Sequence, residues 1–239
     1  MLERRGCKRW GVRPLLVVFV LSLLLLLQQG TISGIDGESN FQVTRALVDH
    51  GRLSVPQGTP HVDRGRGGRY YSKFGVGLPL LSTGPYLLAK PFEGLATTDL
   101  ERVSVSTIMP VITALLCLVL YELGLALGAR PMDTLLVALA AAFGTYLLVY
   151  SKEFFSEPLM ALGVALALWR SIAGHPTQAA LALVLAMQTR PQAAFLAPFF
   201  LLYWVRDMGL RRSLLPGLVL AAGAGSLLFY NWLRFDNVT

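Results

Sequence analysis

Charge is scarce in this sequence. Only 15% of its 239 residues are Asp, Glu, Lys or Arg, where soluble domains carry roughly 25%. Together with a mean hydropathy of +0.56, that scarcity excludes a disordered chain and argues against an ordinary soluble domain. Cysteine is almost missing. Cys7 lies in a basic N-terminus and Cys117 in an apolar run, so both read as unpaired thiols and a disulfide framework is excluded. The motif His61-x-Asp63 is too sparse to claim a metal site. There is no Gly-Lys-Ser/Thr phosphate loop, Rossmann fingerprint or His-Glu-x-x-His, which leaves an ATP-driven pump and a zinc protease unsupported. No internal repeat, coiled-coil heptad or separate soluble domain is evident. The net charge of +7 does not point to nucleic acid, because topology and one basic loop explain most of it.

What the sequence has in abundance is apolar blocks, long enough to predict an all-α, polytopic transmembrane helix bundle of about seven spans. Residues 1–13 form a basic N-terminus. Residues 14–35 read as a retained signal-anchor and first span, since no small-x-small cleavage site follows. Residues 36–102 form a first outer loop, and residues 103–239 the remaining bundle, with spans near 103–127, 133–150, 158–173, 177–189, 191–205 and 214–232. Within the outer loop, Phe41, Thr44, Leu47 and Val48 recur at helical spacing and Gly51 can stop the turn, so a short amphipathic helix is expected at the membrane surface. The stretch from Val55 to Lys73 is rich in turn formers and reads as a loop. Gly75 to Phe92 is apolar but short and interrupted by Pro79 and Pro85, which favours an interfacial or re-entrant segment over a span.

Charge also predicts orientation. With the N-terminus inside, ten Lys/Arg residues fall on the inner side and three in the short outer loops, as the positive-inside rule requires. Most carboxylates fall on the other side, including Asp36, Glu38, Glu153 and Glu157. Glu122 sits near the inner end of a span, placed to pair with an inner arginine. A site built from carboxylates would therefore face the periplasm, exterior or organelle lumen.

Four stretches could carry chemistry there. Asp36 and Glu38 follow the first apolar run, on either side of one glycine. A carboxylate within reach of a hydroxyl can act as a general base; equally, Asp36 could cap the following helix, with Glu38 in its first turn. In RGRGGRYYSK, Arg64, Arg66, Arg69 and Lys73 surround glycines that let the backbone approach an anion, and Arg and Lys bind phosphate strongly; Arg69, Tyr71 and Lys73 are the candidates for substrate or phosphate contact. The alternative is a flexible linker drawn to anionic headgroups. SKEFFSEP places Lys152 and Glu157 around an aromatic pair, either as a second wall of a site or as a wet interfacial turn. In QTRPQ, Arg190 stands between two short apolar runs, where an ionisable group marks a functional cavity unless it simply snorkels to water.

Taken in order, these features resemble the polytopic GT-C glycosyltransferases, and within them the branch of protein O-mannosyltransferases and lipid A aminoarabinose-type transferases. The resemblance rests on Asp36-Gly-Glu38 followed by ARALVDHG, on YYSKFGVGLPLLSTGPYLLAKPF at 70–92, on YSKEFFSEPLMAL at 150–162, on QTRP at 188–191 and on FYNWLRFDN at 229–237. Each motif is loose; their order and loop placement give the likeness its specificity. It implies an inverting transferase that uses a polyprenyl-phosphate-linked sugar as donor and a lipid, glycan or protein hydroxyl as acceptor. Asp36 would be the base, Glu38 would orient the acceptor or support Asp36, and Lys73 and Arg190 would hold the donor phosphate. No nucleotide or redox cofactor is implied, and the family leaves room for a divalent metal. Such proteins generally continue further than this sequence does, so the resemblance implies a short or truncated member. The localisation implied is a multi-pass protein of a bacterial inner membrane with its N-terminus in the cytoplasm. Two rival readings are a transporter or flippase of lipid-linked saccharides, which would favour mid-span charges and internal symmetry, and a non-catalytic membrane subunit, which would tolerate loss of the Asp36 carboxylate.

Overall fold

The first apolar block folds as α1, Arg4–Leu26. The computed structural model describes residues 4–94 and 99–237, with side chains from residue 11 onward. The Cys7 thiol lies outside the described side chains, whereas Cys117 is free and buried. The predicted first span reaches residue 35, but α1 stops at Leu26. Its apolar run gives way to Gln28, Gln29 and Gly30, and Gly30 adopts a left-handed φ of 67°, which ends a helix readily.

The chain re-enters helix as α2, Ile35–His50. Gly51 closes it at φ 61°, and the amides of Gly51 and Arg52 return to the carbonyls of Leu47 and Ala46, satisfying the last turn. The segment expected to be a loop is instead a small antiparallel sheet. Strands β1 (Ser54–Val55), β2 (Val62–Arg64) and β3 (Tyr70–Ser72) lie in the order β1-β3-β2, with Val55 opposite Tyr70 and Val62 opposite Ser72. Strands of two or three residues are too short to show alternation in a sequence. The glycine-rich link between β2 and β3, with Gly67 and Gly68 at positive φ, is a hairpin turn.

Helix α3, Gly77–Ala89, follows and ends in a 3-10 turn at Lys90–Phe92. Thirteen residues make a helix of about 20 Å, short of the roughly 30 Å of a hydrocarbon core. The remainder is helical: α4 (Leu100–Ser106), α5 (Ile108–Ala126), α6 (Pro131–Phe143), α7 (Leu147–Lys152), α8 (Glu157–Ile172), α9 (Pro176–Thr189), α10 (Ala197–Met208) and α11 (Leu210–Phe235). Pro131, Pro158 and Pro176 occupy first turns, where a missing amide hydrogen costs nothing. The predicted span 133–150 is broken at residues 144–146, between α6 and α7. The predicted span 191–205 begins with a 3-10 segment, Pro191–Leu196. Among the described residues, Leu100–Ala126 and Leu210–Phe235 are the two stretches long and apolar enough to cross a membrane; Gly11–Leu26 and Pro131–Phe143 are apolar but shorter.

The helices pack as a chain of neighbours. α5 lies against α1, α6 and α8; α9 lies between α8 and α11; and α10 lies against α11. Small residues permit the close crossings. A Cβ on Gly163 would come within 2.8 Å of the Ala182 carbonyl oxygen, and one on Gly223 within 2.3 Å of Val184, so α8, α9 and α11 approach as glycine-containing helices do. One core joins Phe41 of α2, Leu78 and Tyr86 of α3, Met109 and Ile112 of α5 and Leu159 of α8. That core seats α2 and α3 as a cap on one end of the bundle, and a smaller cluster of Val43, Ala46 and Val55, with Val62 against it, seats the sheet on α2. At the other end Arg13 of α1 donates two hydrogen bonds to Glu122 of α5, at 2.5 and 2.9 Å, the pairing the charge pattern anticipated. Large apolar side chains face outward along the flanks, among them Leu26, Phe195, Leu202 and Leu218, each more than 60% exposed.

Candidate functional site

Asp36 and Glu38 both occupy the first turn of α2, where the helix dipole favours negative charge. Gly34, not Asp36, is the N-cap, and no side chain caps the helix; the capping reading of Asp36 is corrected. Nor do the two acids face one another. Residues two apart on a helix point about 200° apart, and the two carboxylates find different partners. Glu38 accepts hydrogen bonds from Arg102 of α4, and one of 2.7 Å from Gln42. The Arg102 guanidinium holds its carboxyl below the usual range, against the upward push of burial. Glu38 is thus bound into an ion pair that ties α2 to α4, and not placed to support Asp36.

Asp36 turns the other way, into a cluster drawn from four other segments. Its Oδ2 lies 3.7 Å from the guanidinium of Arg190, at the C-terminal end of α9. Its Oδ1 lies 3.5 Å from Nε2 of His61, just before β2. Arg190 also donates to Ser156 Oγ at 2.8 Å and to Glu157 Oε1 at 2.5 Å, at the start of α8, and lies over the ring of Phe74 at 5.6 Å. His61 packs on that same ring at 5.8 Å between centroids. The side chains of Asp36, Arg190 and Glu157 are 23%, 21% and 28% exposed, so the cluster is sheltered yet open to solvent on one side.

Close backbone approaches hold these parts together. A Cβ on Gly37 would stand 3.2 Å from the Phe154 carbonyl oxygen, and one on Gly75 only 2.1 Å from that of Gln188. The first lets α2 lie against the link between α7 and α8. The second lets the stretch after β3 press against the end of α9, which sets Phe74 beside Arg190. Arg234, in the last turn of α11, is buried and donates to the carbonyl oxygens of Ser72 and Phe74, fixing the same stretch from below. Asp49, at the far end of α2, accepts from Lys90 and Tyr86. Burial raises its pKa, and the two hydrogen bonds outweigh that and leave it lowered. This locks α2 to α3.

The other predicted site residues are dispersed. Lys73 is exposed, and its ammonium pairs with Asp63 at 3.5 Å. The antiparallel register explains this. The Lys73 amide bonds the His61 carbonyl at 3.0 Å, which makes Asp63 its diagonal neighbour across the sheet. Tyr71 is buried edge-on against Phe235. Arg69 is exposed and lines a separate cavity with Arg52 and Tyr70. Lys152 ends α7, half-buried, and takes no part in the Asp36–Arg190 cluster, whereas its neighbour Glu153 accepts from Ser33 at 2.8 and 2.9 Å. Among the described residues, no three His, Cys, Asp or Glu side chains are grouped to hold a metal ion.

Sequence reasoning weighed His61 only as a metal ligand beside Asp63 and did not place it, Ser156 or Phe74 in this cluster. His61 sits at φ 51°, a left-handed conformation uncommon for a residue with a Cβ; residues held so concentrate at functional sites.

Chemically, Asp36 differs from the neighbouring acids. Its two side-chain oxygen contacts, at 3.5 and 3.7 Å, are both longer than ordinary hydrogen bonds, which leaves its oxygens open to a further donor. Glu157 Oε2 is buried and receives no hydrogen bond from the described residues, leaving an acceptor for a hydroxyl. Arg190 uses Nε and one terminal nitrogen, which leaves part of its donor fork for an anion. No protein-family model and no curated protein matches the chain.

Proposed function

We propose that the chain is a membrane glycosyltransferase module that transfers a sugar, with inversion, from a polyprenyl-phosphate donor to an acceptor hydroxyl on the outer, periplasmic or lumenal, face of a bacterial inner membrane. The membrane part of this reading is supported by the two long apolar helices, the apolar flanks and the bias of basic residues. In it α1, the α4–α5 pair, the α6–α7 pair and α8 to α11 make about seven spans, and the cap of α2, sheet and α3 lies outside.

One observation carries the catalytic part. An acid and a guanidinium 154 positions apart in sequence meet within 3.7 Å at the capped end of the bundle. Asp36 takes the proton of the acceptor hydroxyl, whose oxygen attacks the anomeric carbon. The bond from that carbon to the phosphate oxygen breaks, and the phosphate leaves with the electron pair. Arg190 opposes the charge that develops there, which lowers the barrier most when the cation is already fixed in place. Glu157 and Ser156 fix it. Glu157 Oε2 accepts a sugar hydroxyl, and His61 holds the Asp36 carboxylate in line. Glu38 serves the fold rather than the reaction, and Lys73, turned to Asp63, meets the donor only from the rim. Partners are the lipid-linked donor, a lipid, glycan or protein acceptor, and bulk membrane lipid; no nucleotide cofactor is required.

The test is Asp36→Asn in the purified chain, offered a panel of polyprenyl-phosphate sugars and followed by release of lipid phosphate. The variant inserts into membranes and melts like the parent but releases no phosphate. Release at the parental rate would remove Asp36 as the base.

A further inference from the structure

On the sheet edge, apart from the Asp36–Arg190 cluster, a cavity of about 350 Å³ is lined by Arg52, Ser54, Val55, Pro56, Arg69 and Tyr70. A second, of about 230 Å³, shares Arg52, Ser54 and Pro56 and adds Arg45 and His50. Strand pairing sets its ends: Arg52 precedes β1, and Arg69 precedes Tyr70, which pairs with Val55 at the other end of that strand. Several arginines at this end of the bundle are already matched to an acid: Arg45 to Asp49, Arg66 to Asp236, Arg102 to Glu38, Arg190 to Glu157. Arg52 and Arg69 are not matched to any acid among the described residues, and no carboxylate lines the larger cavity. The one acid of the smaller cavity, Asp49, is bound to Lys90 and Tyr86. Two guanidinium groups bordering one hollow without a counter-charge repel each other, and an anion between them reverses the sign of that interaction. The guanidinium fork matches phosphate oxygens two at a time. At roughly 30 Å³ per water, the larger cavity has room for a phosphate group and a glycerol-sized or sugar-sized substituent.

We infer that Arg52 and Arg69 form a binding site for a phosphate ester, separate from the proposed catalytic cluster and independent of the transferase reading. The ester has two sources, the headgroup of an anionic phospholipid or a soluble phosphorylated molecule. Both are tested on the full chain in detergent. Glycerol 3-phosphate binding is measured by calorimetric titration, and retention of phosphatidylglycerol against phosphatidylcholine by native mass spectrometry. The variants are R52Q/R69Q, the charge-keeping R52K/R69K, and R211Q, which removes an exposed charge elsewhere. The glutamine pair weakens binding of at least one probe tenfold or more, the lysine pair weakens it less, and R211Q leaves it unchanged. Loss confined to phosphatidylglycerol identifies the lipid as the source; loss confined to glycerol 3-phosphate identifies a soluble ester; loss of both leaves the site open to either. Should the glutamine pair not fold, the lysine pair decides, because it retains charge and lacks only the fork. Undiminished binding of both probes in the folded variants, or an equal loss in R211Q, would overturn the inference.

Discussion

Adding a single methyl group at Gly75 tests whether the site depends on the close approach that brings Phe74 to Arg190. In Gly75→Ala the new Cβ stands 2.1 Å from the Gln188 carbonyl oxygen and 2.8 Å from that of Thr189, where ordinary contact begins at 3.4 Å. Both obstacles are backbone atoms, so no side-chain rotation relieves them. The end of α9 and the stretch after β3 must separate by about 1.3 Å, and Gly77, itself packed against Thr189, moves with them. Overpacking of this kind costs about 1–3 kcal/mol, and a displacement near 1 Å in a catalytic group costs on the order of 10²-fold in rate. The assay pairs a thermal melt with lipid-phosphate release from a polyprenyl-phosphate sugar. The melt falls by several degrees and release drops about a hundredfold. Gly58→Ala, where a Cβ meets nothing within 4 Å, changes neither. If Gly75→Ala melts and turns over like the parent, the close approach does not position Arg190 and the reasoning fails.

Two further changes separate the roles of the neighbouring groups. His61→Gly suits the left-handed backbone at φ 51°, so the melt holds to within about 1 kcal/mol, while kcat falls roughly tenfold to a hundredfold at an unchanged donor KM; an unaltered kcat would dismiss His61 as a positioning residue. The Glu38 carboxyl is held below 4.5 by Arg102, so in the acid range the folded chain binds fewer protons than the unfolded one. Its stabilisation is full above pH 4.5 and drains away as pH falls through the lowered folded value. The difference in melting temperature between parent and Glu38→Gln therefore shrinks as pH is lowered below 4.5, and a difference constant with pH would contradict the Arg102 pairing.

How much of this was readable in advance depends on the length scale of each signal. The apolar blocks predict helices because runs of a dozen or more residues suffice for it, and the breaks at 27–34 and 144–146 fall where glycine and polar residues interrupt those runs. The three strands were invisible because Tyr70–Ser72 and its partners are shorter than one period of usable alternation. Asp36 and Arg190 could be paired only through a resemblance, since nothing local in either segment names the other. Adjacency of Glu38 to Asp36 in sequence suggests cooperation, whereas helix geometry turns the two carboxylates to different partners, Glu38 to Arg102 and Asp36 toward Arg190. The pairing of Lys73 with Asp63 was not readable, because strand register fixes it. His61 stood out in the sequence only beside Asp63, as a metal motif too sparse to claim, and nothing local pointed it at Asp36.

Arg234 has a consequence for biogenesis. It sits in the last turn of α11 and clasps the carbonyls of Ser72 and Phe74, more than 150 positions earlier; a Cβ on Gly65 would likewise strike the Arg234 carbonyl oxygen at 2.1 Å. The N-terminal third therefore completes its shape only once α11 has been made. A nascent chain arrested before α11 would carry a β3–α3 junction with no fastening beneath it. Contacts that span so much sequence form slowly, so this junction is a natural point for a protease to discriminate chains that have docked α11 from chains that have not.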